Sequence, residues 1–490
     1  MNYETIIGLE VHAQLKTESK MFCRCSADYQ DSPPNTHVCP ICLGMPGVLP
    51  TINEQAVEYT MMTALALNCS ISAFTKFDRK NYPYPDLMKG YQISQYDAPI
   101  GKKGYLAIEL DGERKDIGIT RVHLEEDVAK LIHSSSLDEE PHSLVDVNRS
   151  GVPLMEIVSE PDMRSPREAR EYLTKLHSIL QYLGVSTANM EEGSFRCDAN
   201  ISIRPEGTKE FMSKVEVKNM NSFRAVYRAL EYEAKRQKQV VASGGRIVQE
   251  TRGWVEEKGE TVSQRSKEYA HDYRYFPEPD LPPLVPSQEL VEKIKTRLPE
   301  LPEARRDRFV AKYGLPIYDA SLLTGSKAMA DYFENCLKTD TASRLPEDKR
   351  AKELSNWLLG EVSRIVNASE CELVDFGKKV SPENLCELIL SCAGTINTLT
   401  GKAVLEEMFQ SGERAEIIIK AKGLAQISQA SELEGVVSQV IDSNPQAVGD
   451  FRAGKETALK FLVGQVMRLT KGRADPRLAG ELLTRKLKGD

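Results

Sequence analysis

The nine residues Ile7-Gly-Leu-Glu-Val-His-Ala-Gln-Leu15 set a carboxylate and an imidazole two positions apart. Ile7, Leu9, Val11, Ala13 and Leu15 alternate with Gly8, Glu10, His12 and Gln14, which is the period of a half-buried β-strand. By itself this fits a polar strand surface as well as a site. Four more segments have the same character. Ile117–Glu126 carries Arg121, His123 and Glu125 opposite Val122 and Leu124. Leu154–Val158 sets Glu156 opposite Met155 and Ile157, and Phe195–Arg204 sets Arg196, Asp198 and Asn200 opposite Cys197, Ala199 and Ile201. Lys214–Lys218 sets Glu216 between two lysines. Together they predict a largely antiparallel sheet with one face on a core and the other open to a polar site.

If the polar faces converge, the pool is Glu10, His12, Glu125, Glu156 and Asp198. Carboxylates with one imidazole and no thiol suit Mg²⁺ or Mn²⁺ better than zinc. Carboxylates so crowded need cations, because their repulsion would otherwise raise their pKa values. Magnesium commonly arrives with phosphates, so ATP is the natural partner and phosphoryl transfer the expected chemistry. Arg121, Arg196 and Lys218 are candidates to stabilise the spreading charge. The loop from Phe77 to Tyr96 interleaves Arg79, Lys80 and Lys89 with Tyr82, Tyr84 and Tyr91. It could line a phosphate pocket, with Lys89 as a cofactor-binding candidate, or stack a base. Tyr-Pro turns that only pack are the equal alternative. There is no Gly-x-x-x-x-Gly-Lys-Ser/Thr loop and no kinase-type Gly loop followed by a valine strand, so an ATP site must be of another design.

Cys23, Cys25, Cys39 and Cys42 form two close pairs around a Pro- and Asn-containing loop. Four thiolates on two knuckles suit a closed, tetrahedral structural zinc site, with His37 a substitute ligand. Free buried thiols come next and disulfides last.

The elements that must position these residues have their own signals. Ser165-Pro-Arg-Glu168 is a capped helix start, followed by a periodic apolar stripe that Gly184 ends. A second amphipathic helix is expected from about Ser222 to Ala242, stopping at Gly244-Gly245. Both should cover the apolar face of the sheet. Phe276–Pro286 holds five prolines in 11 residues and reads as a linker. Beyond it β signals are few, Ser381-Pro-Glu marks another capped helix, and a second break is expected around Gly401 to Gly412. From Arg452 to Asp490 there are ten Lys or Arg against four acids, in a chain whose net charge is −8. A basic helical tail on an acidic body is the footprint of phosphate-backbone contact, against a merely solvated helical face.

The 490 residues are enough for two to four domains. No apolar run approaches the roughly 20 residues that cross a bilayer. The start Met1-Asn2-Tyr3-Glu4 has no signal-peptide character, so the cytoplasm is the expected compartment.

Longer strings then carry a resemblance. Ile7–Leu15, His123-Leu-Glu-Glu-Asp127, Leu154–Asp162, Glu192–Ser202, Glu216-Val-Lys-Asn-Met-Asn-Ser222 and Asp272–Asp280 resemble the B subunits of the aspartyl/glutamyl-tRNA amidotransferases over essentially the whole chain. The resemblance implies an α+β fold with an N-terminal, largely antiparallel cradle (1–290, with a zinc-knuckle insertion at 23–42). A helical domain (291–404) and a basic tRNA-binding tail domain (405–490) would follow. It implies a glutamine-dependent, ATP-consuming carbon–nitrogen ligase. The side-chain carboxylate of Glu-tRNA(Gln), Asp-tRNA(Asn) or both is phosphorylated, then amidated by ammonia from a partner amidase. The partners would be an amidase A subunit and a small C subunit, in a heterotrimer, with tRNA. The metal set carried over is His12, Glu125 and Glu156 with Glu10 beside them, for Mg²⁺. The cysteines match the zinc-bearing members. The stretch from Ser134 to Pro141 looks like a surface-loop insertion. A non-catalytic tRNA-binding scaffold and an amide ligase for a free metabolite are the alternatives.

Overall fold

The computed structural model describes residues 2–133, 142–266, 273–425, 430–470 and 473–488. The expected loop insertion at Ser134–Pro141 lies outside the described residues. The strands are β1 (Tyr3–Gln14), β2 (Ser70–Ile71), β3 (Asp78–Asn81), β4 (Tyr91–Ser94), β5 (Gly101–Leu110), β6 (Glu113–Glu126), β7 (Lys130–His133) and β8 (Ser143–Asp146). After them come β9 (Pro153–Ser159), β10 (Phe195–Pro205), β11 (Val215–Lys218), β12 (Glu250–Val255), β13 (Glu260–Ser266) and β14 (Phe276–Pro277). Nine form one sheet in the order β13-β12-β11-β10-β1-β9-β6-β5-β2. Within it only β11 and β12 run parallel. β1 therefore sits near the middle, between β10 and β9.

The alternation expected for β1 holds. Ile7, Leu9, Val11 and Ala13 are buried in the core beneath the sheet. Helices α1 (Glu54–Ala66), α2 (Pro166–Leu183) and α3 (Phe223–Ala242) cover that face. Ser165 and Ser222 cap α2 and α3 by accepting from Glu168 N and Ala225 N, and Gly184 ends α2 in the left-handed region at φ 70°. These two helices are where the capping signals put them. The covering helix α1 is capped by Asn53, but its apolar residues run nearly all round it and give no stripe.

The proline-rich stretch is not a free linker. Its β14 pairs with β3, and Leu284 and Thr75 exchange backbone hydrogen bonds. Glu278 is buried and binds Arg79 through two hydrogen bonds. Prolines lack N–H groups, so the segment cannot be a central strand, but Glu278 and Leu284 still donate at a sheet edge. The first compact unit accordingly runs to Pro302, with Ile294 in its core.

The second unit, Glu303–Asp490, is helical in its described residues and has two apolar clusters. One extends from Phe309 to Ile419, the other from Leu433 to Leu487. The break expected around Gly401 to Gly412 is instead the helix Thr398–Ser411. Gly401 is there because a Cβ would lie 2.3 Å from Cys392 Sγ and 3.2 Å from the Trp357 ring. It permits close packing rather than breaking the chain. The change from one cluster to the other comes after Leu424.

One core feature yields a test. Tyr172, on α2, is fully buried and its hydroxyl finds no hydrogen-bond partner among the described residues. An unsatisfied buried hydroxyl is a net cost. Tyr172→Phe should stabilise the chain by on the order of 1 kcal/mol, measured as a higher urea midpoint at unchanged slope. A lower midpoint would mean that the hydroxyl is satisfied.

Candidate functional site

The register of the sheet explains which polar side chains meet. His12 lies opposite Glu156 on β9 and Arg196 on β10, and Glu156 lies opposite His123 on β6. Glu10 lies opposite Asp198, and Asn200 opposite Glu216. These side chains floor a cleft of about 850 Å³ whose lining also includes Arg121, Glu125, Asp127, Lys80, Tyr82 and Tyr275.

At its centre His12 Nε2 is 3.4 Å from Glu156 Oε2 and 3.6 Å from Glu125 Oε1. One ligand atom from each of the three lies within 4.8 Å of the others. His123 Nε2 stands 3.5 Å from Glu156, while its Nδ1 is buried without a hydrogen-bond partner among the described residues. Two buried carboxylates share this space, and the electrostatics register the crowding. Burial, reinforced by the charge of Glu156, pushes the Glu125 carboxyl up. Glu156 goes the other way. Burial opposes its charge, but His123, His12 and Arg121 outweigh that and hold it well below the usual range. His12 is desolvated too, yet Glu156, Glu125 and Asp198 raise it to about 9. Burial drives His123 down to about 4. The site thus concentrates negative charge that a proton on His12 only partly offsets. Two carboxylates and an imidazole at this spacing suit a hard divalent cation, whose ligands stand roughly 3 Å apart at a radius of about 2.1 Å.

The other expected site residues are placed as follows. Glu10 and Asp198 line the cleft but stand outside the three-residue cluster. Glu10 accepts a hydrogen bond from Asn200, 2.8 Å, and Asp198 is paired with Lys218. The sequence pattern puts the whole pool on one face, but β-strand spacing moves Glu10 about 7 Å along β1 from His12. Arg121 lines the cleft 3.6 Å from Glu156. Arg196 lines it too, but its guanidinium is clamped to both oxygens of buried Asp127, at 3.0 and 3.1 Å. Lys218 is shared between Asp198 and Glu216. Lys89 is not part of the cleft lining; it pairs with buried Glu126. Asp127 escapes strand-face reasoning because it lies just past the end of β6, where parity no longer applies. Its neighbours Gln14, Arg149 and Arg196 all reach it.

The four cysteines also converge. Cys23, Cys25, Cys39 and Cys42 offer sulfurs within 4.8 Å of one another, and all are free thiols. Cys39 and Cys42 are 3.8 Å apart, close to the separation of roughly 3.8 Å between sulfurs bound at about 2.3 Å to one zinc ion. A hydrogen bond from Cys23, against burial, with further help from the Cys39 N–H and Lys20, brings Cys42 down to about 5. His37 is not in this cluster; its Nε2 bonds Ser32 Oγ at 2.8 Å.

An antiparallel sheet here holds an imidazole and two buried carboxylates in a cleft edged by cations, a donor set that could hold a hard metal ion. A family model described as the GatB/GatE catalytic domain matches residues 5–292, and one described as the GatB domain matches residues 331–487. The chain belongs to this family. It is 61% identical, over 99% of both chains, to a Dehalococcoides mccartyi protein named as the B subunit of an aspartyl/glutamyl-tRNA(Asn/Gln) amidotransferase, and 62% identical over the same share to that of a second strain. A Carboxydothermus hydrogenoformans protein of the same name is 54% identical, again over 99% of each.

The cysteine cluster is testable without any activity assay. The purified chain should contain close to one equivalent of zinc by elemental analysis. Cys42→Ser should lose it and lower the melting temperature. Undiminished zinc in the variant would rule the cluster out as the site.

Proposed function

We propose that this chain is the carboxylate-activating component of a tRNA-dependent amidotransferase. It uses ATP to phosphorylate the side-chain carboxylate of Glu-tRNA(Gln), Asp-tRNA(Asn) or both, and then admits ammonia. The names of the full-length relatives support this reading. The observation that carries it is the buried His12–Glu125–Glu156 cluster at the floor of the cleft.

A carboxylate does not yield to ammonia at neutral pH, because oxide is a poor leaving group. In the first step a side-chain carboxylate oxygen bonds to the γ-phosphorus. The bond from that phosphorus to the β–γ bridging oxygen breaks, and ADP leaves with the electron pair. In the second, the ammonia nitrogen bonds to the acyl carbon. The carbon–oxygen bond to phosphate breaks, phosphate leaves with the pair, and the nitrogen loses a proton. His12, Glu125 and Glu156 would hold Mg²⁺, which offsets charge as two anions approach. His123 props Glu156 from behind, and Arg121 brings a positive charge to the same carboxylate. The Arg196–Asp127 clamp fixes the wall beside them. The cleft floor keeps these groups partly away from water, which strengthens their fields.

A separate amidase is taken to supply ammonia and a small third component to join the two. The basic helices of the C-terminal cluster are assigned to the tRNA backbone; Arg452, Lys460 and Arg468 are exposed there, on helices whose apolar residues, Leu462 and Val466 among them, form a small core. Cradle, helical domain and basic tail follow one another along the chain, with the last boundary at the change of core after residue 424. The four cysteines would brace their own loop by holding zinc and take no part in the chemistry. Among the described residues, no helix is long and apolar enough to cross a membrane.

Co-expression with the amidase and the small component, followed by ATP hydrolysis assays with charged and uncharged tRNA, separates the readings. Turnover that needs Glu-tRNA or Asp-tRNA supports this one. ATP-independent tRNA binding alone would favour a scaffold, and stimulation by free glutamate a metabolite ligase. Within the complex, Glu125→Ala should leave the fold and glutamine hydrolysis intact and reduce ATP-dependent amidation by at least a hundredfold, about 2.7 kcal/mol. Retained amidation would remove Glu125 from the metal site.

A further inference from the structure

Three cations rise from the loop between β3 and β4 and its flanking strands. Two are spent on buried carboxylates. Arg79 makes two hydrogen bonds to Glu278, 2.6 and 2.8 Å, and stacks over Tyr91. Lys89 pairs with Glu126. The third, Lys80, has no carboxylate within ion-pair distance among the described residues. Side chains of a strand alternate, so Lys80 leaves the face that holds Arg79 and enters the cleft with Tyr82. Its ammonium lies 5.0 Å from the Tyr273 ring centre and 5.8 Å from that of Tyr82.

We propose that Lys80 is a phosphate-binding catalytic residue that grips the transferring phosphoryl group of ATP from the side opposite the His12–Glu125–Glu156 cluster. This rests on the ATP-dependent reading given above. Three other cleft cations have anionic partners inside the protein. Glu156 stands by Arg121, Asp127 holds Arg196, and Asp198 and Glu216 hold Lys218. Among these four, Lys80 alone has no carboxylate within ion-pair distance among the described residues; Lys214, which also lines the cleft, is exposed to solvent rather than half-buried. A half-buried ammonium with only ring faces beside it is costly to maintain, so its presence points to an anionic occupant of the cleft. Burial works against its charge, but Glu125 and Glu156 face it across the space and hold it protonated. As the carboxylate oxygen bonds to the γ-phosphorus and the bridging oxygen departs with ADP, charge spreads over the equatorial phosphoryl oxygens. Lys80 meets that charge on one side, and a cation held by His12, Glu125 and Glu156 would meet it on the other.

The test uses the full chain in complex with its partner chains and measures binding of β,γ-methylene-ATP, with Mg²⁺, against binding of adenosine, by calorimetry. Lys80→Met should weaken the ATP analogue at least tenfold and leave adenosine within twofold; Lys80→Arg should recover most of the loss. Unchanged affinity for the analogue overturns the proposal. So does an equal loss for both ligands, which would mark a structural role. If Lys80→Met does not fold, acetylation footprinting of the unaltered chain decides. The analogue must slow modification of Lys80 and adenosine must not; equal labelling overturns the assignment. Failure of the unaltered chain to bind the analogue would instead remove the ATP-dependent reading itself.

Discussion

Two carboxylates, Glu125 and Glu156, are buried within reach of one imidazole, and the rest of the cleft answers that crowding. Ionised carboxylates this close and this poorly hydrated cannot coexist unless positive charge joins them. The protein provides some of it permanently. Despite its burial, His12 is raised to about 9 by Glu156 and Glu125, and the Arg121 guanidinium stands against Glu156, whereas His123, driven down to about 4 by burial, adds no charge at neutral pH. The shortfall leaves a donor set that could take a cation. A core of this depth could not keep such groups for stability, since well-packed apolar residues would do as well or better.

The sheet makes the crowding possible. Cross-strand neighbours on one face are about 5 Å apart, so three central strands, β6, β9 and β1, bring His123, Glu156 and His12 into one row without any loop. Their opposite faces hold Leu124, Ile157 and Val11 in the core beneath α1, α2 and α3. A slip of one residue in β1 would turn His12 into the core and expose its apolar set. Register and site are therefore held by the same burial. A site mounted on strands rather than loops gains stiffness, which suits precise positioning of its groups.

Around the row, charges are paired off with some care. Asp127 takes Arg196, Glu126 takes Lys89, Glu278 takes Arg79, and Asp198 takes Lys218. These pairs are partly buried, so breaking one would leave a costly lone charge. They fix the walls of the cleft, and they set the paired cations apart from Lys80, which has no carboxylate within ion-pair distance among the described residues. Composition offers no such distinction, because all of these residues read alike in a list.

The strands, their parity and the two capped covering helices were legible in the sequence, whereas the set His12, Glu125 and Glu156 came from the family resemblance, out of a pool that also held Glu10 and Asp198. Period-two alternation and serine caps are local physics, set by residues a few positions apart. The four-cysteine cluster was legible for the same reason, since short knuckles confine their own ligands. What only the tertiary structure decided is which charges meet. That the prolines at 277–286 edge a sheet rather than bridge two domains depends on hydrogen bonds to Phe77 and Thr75, some 200 residues away. That Gly401 serves packing depends on Cys392 and Trp357. That Lys89 is committed, Arg196 clamped and Lys80 left facing the cleft depends on partners no local pattern announces. Strand periodicity tells a side chain which face to take; only the pairing of distant strands tells it what it will find there.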